Sequence, residues 1–218
     1  MLKTNNSELA AYYAKRAGIL EEVYQREECQ DDLADMQYRL GEVLADHRVL
    51  ELACGTGFWT QHYAEMAESV LATDINPEML TLAEAKGLPA DKVQWQIADA
   101  FDPQVSGSFS ACFAGFWWSH VMRQDQEEYL QLLREKLGKD TLLVLMDNNY
   151  VEGISTTIAR TDLEGNTHQI RTLPDGSRQE VLKNFPTDSA LRKKFAASAK
   201  EIRVVRLEHY WMLTCRLK

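Results

Sequence analysis

Glu51-Leu52-Ala53-Cys54-Gly55-Thr56-Gly57 ends a short apolar run, Val49 to Ala53, with two glycines one residue apart. At a strand-to-helix turn, absent side chains let the backbone approach a bound ligand closely; the same pattern also makes a plain tight turn. Further apolar runs of the kind buried on both faces follow at Val70 to Thr73, Val93 to Ile97, Phe109 to Phe116 and Leu142 to Met146. Helical stretches starting near Phe58, Pro77 and Gln124 lie between them, the second with Asn76 as cap, Pro77 as first helical residue and Glu78 in the first turn. Alternating strands and helices predict an α/β chain with a parallel sheet and right-handed crossovers.

Upstream, Ser7 to His47 has no proline and one break near Gly18, which predicts two amphipathic helices. Downstream the rhythm changes. Ser155 to Leu163, Thr167 to Leu173 and Arg178 to Lys183 are β-like and joined by Glu164-Gly165-Asn166 and Pro174-Asp175-Gly176, a three-stranded antiparallel meander. A helix from about Thr187 to Ala199 and two strands, Ile202 to Leu207 and Tyr210 to Leu217, complete the chain. The expected organisation is a single domain, 1–218: N-terminal helices over 1–47, a core over 48–150, the meander over 151–185, and a terminal helix and hairpin over 186–218.

The 218 residues carry a formal net charge of -9, with a pI near 5.1, which repels polyanions at long range. Basic residues between Arg192 and Arg206 read as a solvated helix face. The four cysteines, Cys29, Cys54, Cys112 and Cys215, lack CxxC spacing, so reduced thiols in the cytoplasm are expected rather than zinc or disulfides. The longest apolar runs are too short to span a bilayer, and no signal core opens the chain. Neither nucleic acid nor membrane is expected as a partner.

Asp74 ends the second strand, where a doubly wound sheet offers a carboxylate to ribose hydroxyls. Asp99 follows the third strand in Ala98-Asp99-Ala100-Phe101, where it can accept from an exocyclic amine. Either acid alone reads as a cap or surface residue; two, in order after a glycine turn, point to a nucleotide-type cofactor.

Glu51 to Gly57, with Asp74, Asp99 and the strand Phe109 to Phe116, resembles class I S-adenosylmethionine-dependent methyltransferases over roughly residues 45 to 150. The resemblance implies a Rossmann-like doubly wound, seven-stranded, mostly parallel sheet of order 3-2-1-4-5-7-6, with only the last strand antiparallel. It also implies S-adenosylmethionine as cofactor and S-adenosylhomocysteine as product. By resemblance Gly55 and Gly57 lie against the methionine part, Asp74 holds the ribose, Asp99 meets the adenine, and Ile75 and Phe101 sandwich its ring. Tyr12-Tyr13-Ala14-Lys15-Arg16-Ala17, followed by Tyr24, is similar to the helical lid of small-molecule members, in which Arg16 could clamp the methionine carboxylate or stand in solvent. Tyr13, Glu51, Ala53, Met79, Ala100 and Phe116 complete the candidate cofactor set.

The acceptor side is expected above the sheet's carboxyl edge. Trp117 and Trp118 can stack an aromatic substrate, face a cationic amine, or pack in the core; Tyr150 and the meander lie nearby. His120 is the candidate catalytic residue, positioning the nucleophile or accepting its proton; its competing reading is a structural histidine. Asp147, Asn148 and Asn149 resemble in position the acids of catechol-type enzymes, but one carboxylate among amides is a poor magnesium site, and no metal is expected. Thr60 stands where a dehydrogenase has its third glycine, and Phe116-Trp117-Trp118-Ser119-His120 lacks the motif of base-amine methylases. A small-molecule acceptor is therefore favoured, over a nucleic-acid or protein methyltransferase or a non-catalytic binding protein, with the meander a candidate dimer arm.

Overall fold

The computed structural model describes residues 6–218. Helices α1 (Asn6–Ala14) and α2 (Gln30–Leu44) precede β1 (Arg48–Leu52), β2 (Ser69–Asp74), α3 (Pro77–Glu84), β3 (Val93–Ile97), β4 (Ala111–Gly115), α4 (Gln126–Leu137) and β5 (Leu142–Asn148). The meander is β6 (Ile158–Thr161), β7 (Thr167–Thr172) and β8 (Arg178–Leu182), followed by α5 (Asp188–Phe195), β9 (Ala199–Arg206) and β10 (Tyr210–Leu217).

The main sheet runs β3-β2-β1-β4-β5-β10-β9. With the meander set aside, β9 and β10 become its sixth and seventh strands, and the order is the expected 3-2-1-4-5-7-6. Strands β1 to β5 pair in parallel, while β10 runs antiparallel to both β5 and β9. Successive strand residues point to opposite faces. Thus Val49, Val144 and Met146 join a core beneath Leu33, Met36, Leu40 and Leu44 of α2. Leu50, Leu52, Leu143 and Leu145 join a second core with Tyr129, Leu130 and Leu133 of α4 and Leu191 and Phe195 of α5. Central strands buried on both faces explain the continuous apolar runs; the edge strands β3 and β9 bury only alternate or scattered positions.

Three local expectations need correction. The break near Gly18 is a run of 3-10 turns, Ala17–Gln25 and Glu27–Cys29, rather than a single hinge between two helices. No regular α-helix follows Phe58; the segment is a series of turns with a 3-10 piece at Thr60–His62. Trp59 and Tyr63 are buried there while the Phe58 ring stacks on Tyr24 at 3.9 Å, so tertiary packing of aromatic side chains overrides a helical path. Asn76 occupies the cap position of α3, but its side chain makes no capping bond; Pro77 at the first turn sets the start. Thr187 does cap α5, accepting from the Ala190 N–H at 3.2 Å.

The meander is tied down within the chain. Leu173 and Val181 bury against Tyr12, Tyr13 and Leu9 of α1, and Gln179 donates to the Glu8 carbonyl at 3.0 Å. Among the described residues no helix is long and apolar enough to cross a membrane.

Candidate active site

A cavity of about 510 Å³ opens at the carboxyl ends of β1, β2, β4 and β5, the crevice where doubly wound sheets take ligands. One end is lined by Glu51, Ala53, Gly55, Asp74, Ile75, Met79, Ala98 and Ala100. The other is lined by Phe116, Trp117, His120, Asn148, Asn149, Gln169, Arg171 and Lys183, and α1 and the 3-10 turns cover the cavity with Tyr12, Tyr13, Arg16, Leu20 and Tyr24.

At the first end the backbone is held open by side chains. Asp74 is 6% exposed; its Oδ2 accepts from the Gly55 N–H at 2.9 Å and its Oδ1 from the Asn76 N–H at 2.8 Å. Burial raises its carboxyl above the ordinary range, and the N–H groups of Asn76, Gly55 and Ile75 oppose that rise. Ala53 and Phe116, one at the end of β1 and one after β4, both adopt left-handed φ, 54° and 59°. Non-glycine residues in that region store strain that surrounding structure must enforce, and both positions line the cavity.

Behind the turn, Glu51 accepts from Thr60 Oγ1 and Tyr63 Oη at 2.7 Å each. Burial pushes its carboxyl from an ordinary 4.5 up to about 7; the Tyr63 and Thr60 hydroxyls pull the other way, and Asp74 adds to the rise. A carboxyl with a raised folded pKa stabilises the fold most below the unfolded value and loses that contribution as pH climbs through the folded one. Between about 4.5 and 7, Glu51 should therefore withdraw roughly 3 kcal/mol at most. Denaturant titrations of the parent and Glu51→Gln across this window should show the parent losing ground as pH rises; a constant difference would contradict the buried acid.

At the second end, His120 is 1% exposed. Its Nδ1 lies 2.6 Å from the Leu182 carbonyl, which can only accept, so the proton is on Nδ1 and Nε2 accepts from the Tyr13 hydroxyl at 2.9 Å. Burial first, then the positive charges of Lys183 and Arg171, hold the ring well below its ordinary pKa, against the Leu182 carbonyl. The histidine is neutral with both nitrogens engaged. Lys183 Nζ, 3% exposed, donates to Asp147 Oδ1 at 2.6 Å, and Asp147 also accepts from the N–H groups of Ser119 and Asn148.

A methyltransferase-domain family model matches residues 49–140. A solved DhpI complex with SAH is 26% identical, covers 100% of this chain and 98% of its own, and superposes with a TM-score of 0.77. Residues 49–140 are thus a methyltransferase domain, on a fold shared over the whole chain with an S-adenosylhomocysteine-bound methyltransferase. The magnesium-protoporphyrin O-methyltransferase of Rhodobacter capsulatus is 36% identical over 75 residues, and that match spans about a third of the length of each protein. The 1,6-didemethyltoxoflavin-N1-methyltransferase of Burkholderia thailandensis, at 16% identity, 98% and 88% coverage and a TM-score of 0.63, shares the fold.

Against the methyltransferase pattern, Tyr13, Arg16, Glu51, Ala53, Gly55, Asp74, Ile75, Met79, Ala100, Phe116, Trp117 and His120 do meet at the cavity. Five expected residues do not line it. Phe101 is buried between Trp117 and Tyr129, with ring centroids at 4.8 and 5.5 Å, so it is core rather than half of a sandwich. Trp118 packs on Phe195 in the second core at 5.0 Å. Tyr150 lies against Phe185 on the far side of Asn149. Gly57 faces Ala83 and Trp95. Asp99 accepts from the Phe101 N–H at 2.8 Å, and its neighbours Ala98 and Ala100, not Asp99 itself, border the cavity. His120 reaches the cavity, but with its lone pair on Tyr13 it holds that hydroxyl in place rather than standing free to take a proton. Sequence reasoning missed Arg171, Lys183 and Gln169; their only signal was polar residues on a meander outside the common core.

Proposed function

We propose that this chain transfers the methyl group of S-adenosylmethionine to a small-molecule acceptor by in-line displacement. The supporting observation is a single cavity joining the glycine turn and Asp74 to a compartment closed by α1 and the meander. The residues present fit the cofactor. A carboxylate offers about four acceptor sites, so the backbone bonds to Asp74 leave capacity for ribose hydroxyls. Ile75, Met79, Ala98 and Ala100 supply an apolar slot for adenine, and Arg16 is a candidate partner for the methionine carboxylate.

Bound S-adenosylmethionine supplies an already activated methyl group on a sulfonium. The chain's own work is therefore alignment and exclusion of water. Helix α1 and the meander cover the cavity, and the neutral His120 fixes the Tyr13 hydroxyl on its wall. Tyr24, Phe58, Trp59 and Phe116 form an aromatic cluster along the same wall, suited to a cationic sulfonium.

Calorimetric titration with S-adenosylmethionine and S-adenosylhomocysteine tests the reading. Asp74→Ala should weaken both by about 1.5 to 3 kcal/mol, since it leaves buried ligand hydroxyls without their acceptor. Unchanged affinity in a folded Asp74→Ala protein would remove the ribose assignment.

A further inference from the structure

We propose that the methyl acceptor carries an oxyanion group, a carboxylate or phosphorus oxyacid, bound by Arg171 at the meander end of the cavity; this rests on the methyl-transfer reading above. Lys183 is already neutralised by Asp147 at 2.6 Å. Arg26 is solvent-exposed and donates to the Ile154 carbonyl. Two guanidinium groups on the cavity wall remain. Arg16 donates to the Tyr12 hydroxyl at 2.7 Å, and Arg171 donates through Nε and Nη2 to Gln169 Oε1 at 3.2 and 2.8 Å. Arg171 also meets the phenol groups of Tyr13 and Tyr12, and among the described residues it forms no salt bridge with a carboxylate.

Arg171 is half-buried; a partly desolvated guanidinium without a counterion is unfavourable, and neutral tyrosine and glutamine oxygens offset that only in part. S-adenosylmethionine brings one carboxylate, enough for one arginine. The second calls for an anion from the acceptor, and the N–H groups of Arg171 not used by Gln169 offer the fork that oxyanions accept bidentately. Placement agrees with this division. Arg16 directly precedes the 3-10 turn Ala17–Gln25, whose Leu20 lies beside Gly55, whereas Arg171 and Lys183 come from β7 and the residue after β8, in the segment that the family's common sheet lacks. His120 stands beside both cations and is neutral, so it adds no competing charge. An amine acceptor in its protonated form would be repelled by the same arrangement.

The test uses the full chain saturated with S-adenosylhomocysteine, titrated with glycolate, methylphosphonate and ethylamine. At least one of the two oxyacids should bind, and which one does separates the carboxylate source from the phosphorus source; ethylamine should not bind. Arg171→Gln should weaken the oxyacid by about tenfold or more, as expected for losing a charge-assisted pair, with S-adenosylhomocysteine affinity kept within about threefold. Arg171→Lys, which keeps the charge and loses the fork, should fall between, and circular dichroism confirms that both variants fold. The proposal fails if neither oxyacid binds, if Arg171→Gln binds the oxyacid as the parent does, or if Arg171→Gln loses S-adenosylhomocysteine to the same extent, which would give Arg171 to the cofactor. A parent that does not bind S-adenosylhomocysteine overturns the methyl-transfer reading and this one with it; binding of that product without any oxyacid overturns this one alone.

Discussion

Lys183→Met is expected to destabilise the fold by about 3 to 5 kcal/mol, because it leaves Asp147 as an uncompensated buried charge. Asp147 has no exposure and Lys183 only 3%, so neither can turn to water without moving the strands that carry them. Desolvation lowers the Lys183 pKa and Asp147 opposes that, the sign expected of a pair that each partner needs. For a domain of this size the loss should appear as a melting temperature roughly 6 to 20 °C lower. Removing both charges is a different experiment. Asp147→Asn with Lys183→Met replaces the pair by neutral groups, and the amide oxygen can still accept from Ser119 or Asn148, so much of the loss should be recovered. A Lys183→Met protein within about 1 kcal/mol of the parent would mean that the pair is not closed in solution, since intact buried pairs do not yield so small a loss.

That pair also marks where sequence reading stopped. The order of the sheet was legible, because buried parallel strands leave uninterrupted apolar runs and Asn76-Pro77 starts a helix by local chemistry alone. One end of the cavity was legible too: Glu51, Ala53, Gly55 and Asp74 sit at strand ends whose position the runs define, and they line it. Phe101, Trp117 and Trp118 were not separable. Each is an aromatic just past a strand, and only tertiary packing sends Phe101 and Trp118 inward while Trp117 borders the cavity and donates to Tyr129. His120 was placed correctly near the crevice, yet its state depends on the Leu182 carbonyl and the Tyr13 hydroxyl, partners 62 and 107 residues away that no local pattern announces. Arg171 and Lys183 belong to an insertion with no motif. Their meaning comes from the cavity wall they share and from Asp147, 36 residues before Lys183, which holds its ammonium.

The glycine motif itself divides into two jobs, and substitution should separate them. Gly57 has φ +71°, and a Cβ there would stand 3.0 Å from the Ala83 Cβ of α3 and 3.0 Å from the Trp95 ring of β3. Gly55 has φ +58° with its nearest obstacle, Leu20 Cδ2, at an ordinary 3.5 Å, and it lines the cavity, which Gly57 does not. A side chain at Gly57 therefore meets the helix and sheet, not the ligand. Gly57→Val combines a left-handed backbone penalty of about 1 to 2 kcal/mol with overpacking of about 1 to 3, or about 2 to 5 in all. Its melting temperature should fall by roughly 4 to 20 °C, with any loss of cofactor affinity following from a displaced turn. Gly55→Ala pays only the backbone part, about 1 to 2 kcal/mol, yet puts a methyl on the wall where close approach is needed, so affinity for S-adenosylhomocysteine should suffer more than stability. Thermal melts and calorimetric titrations of the two variants side by side decide the matter. A Gly57→Val protein that melts with the parent but no longer binds S-adenosylhomocysteine would return both glycines to the ligand.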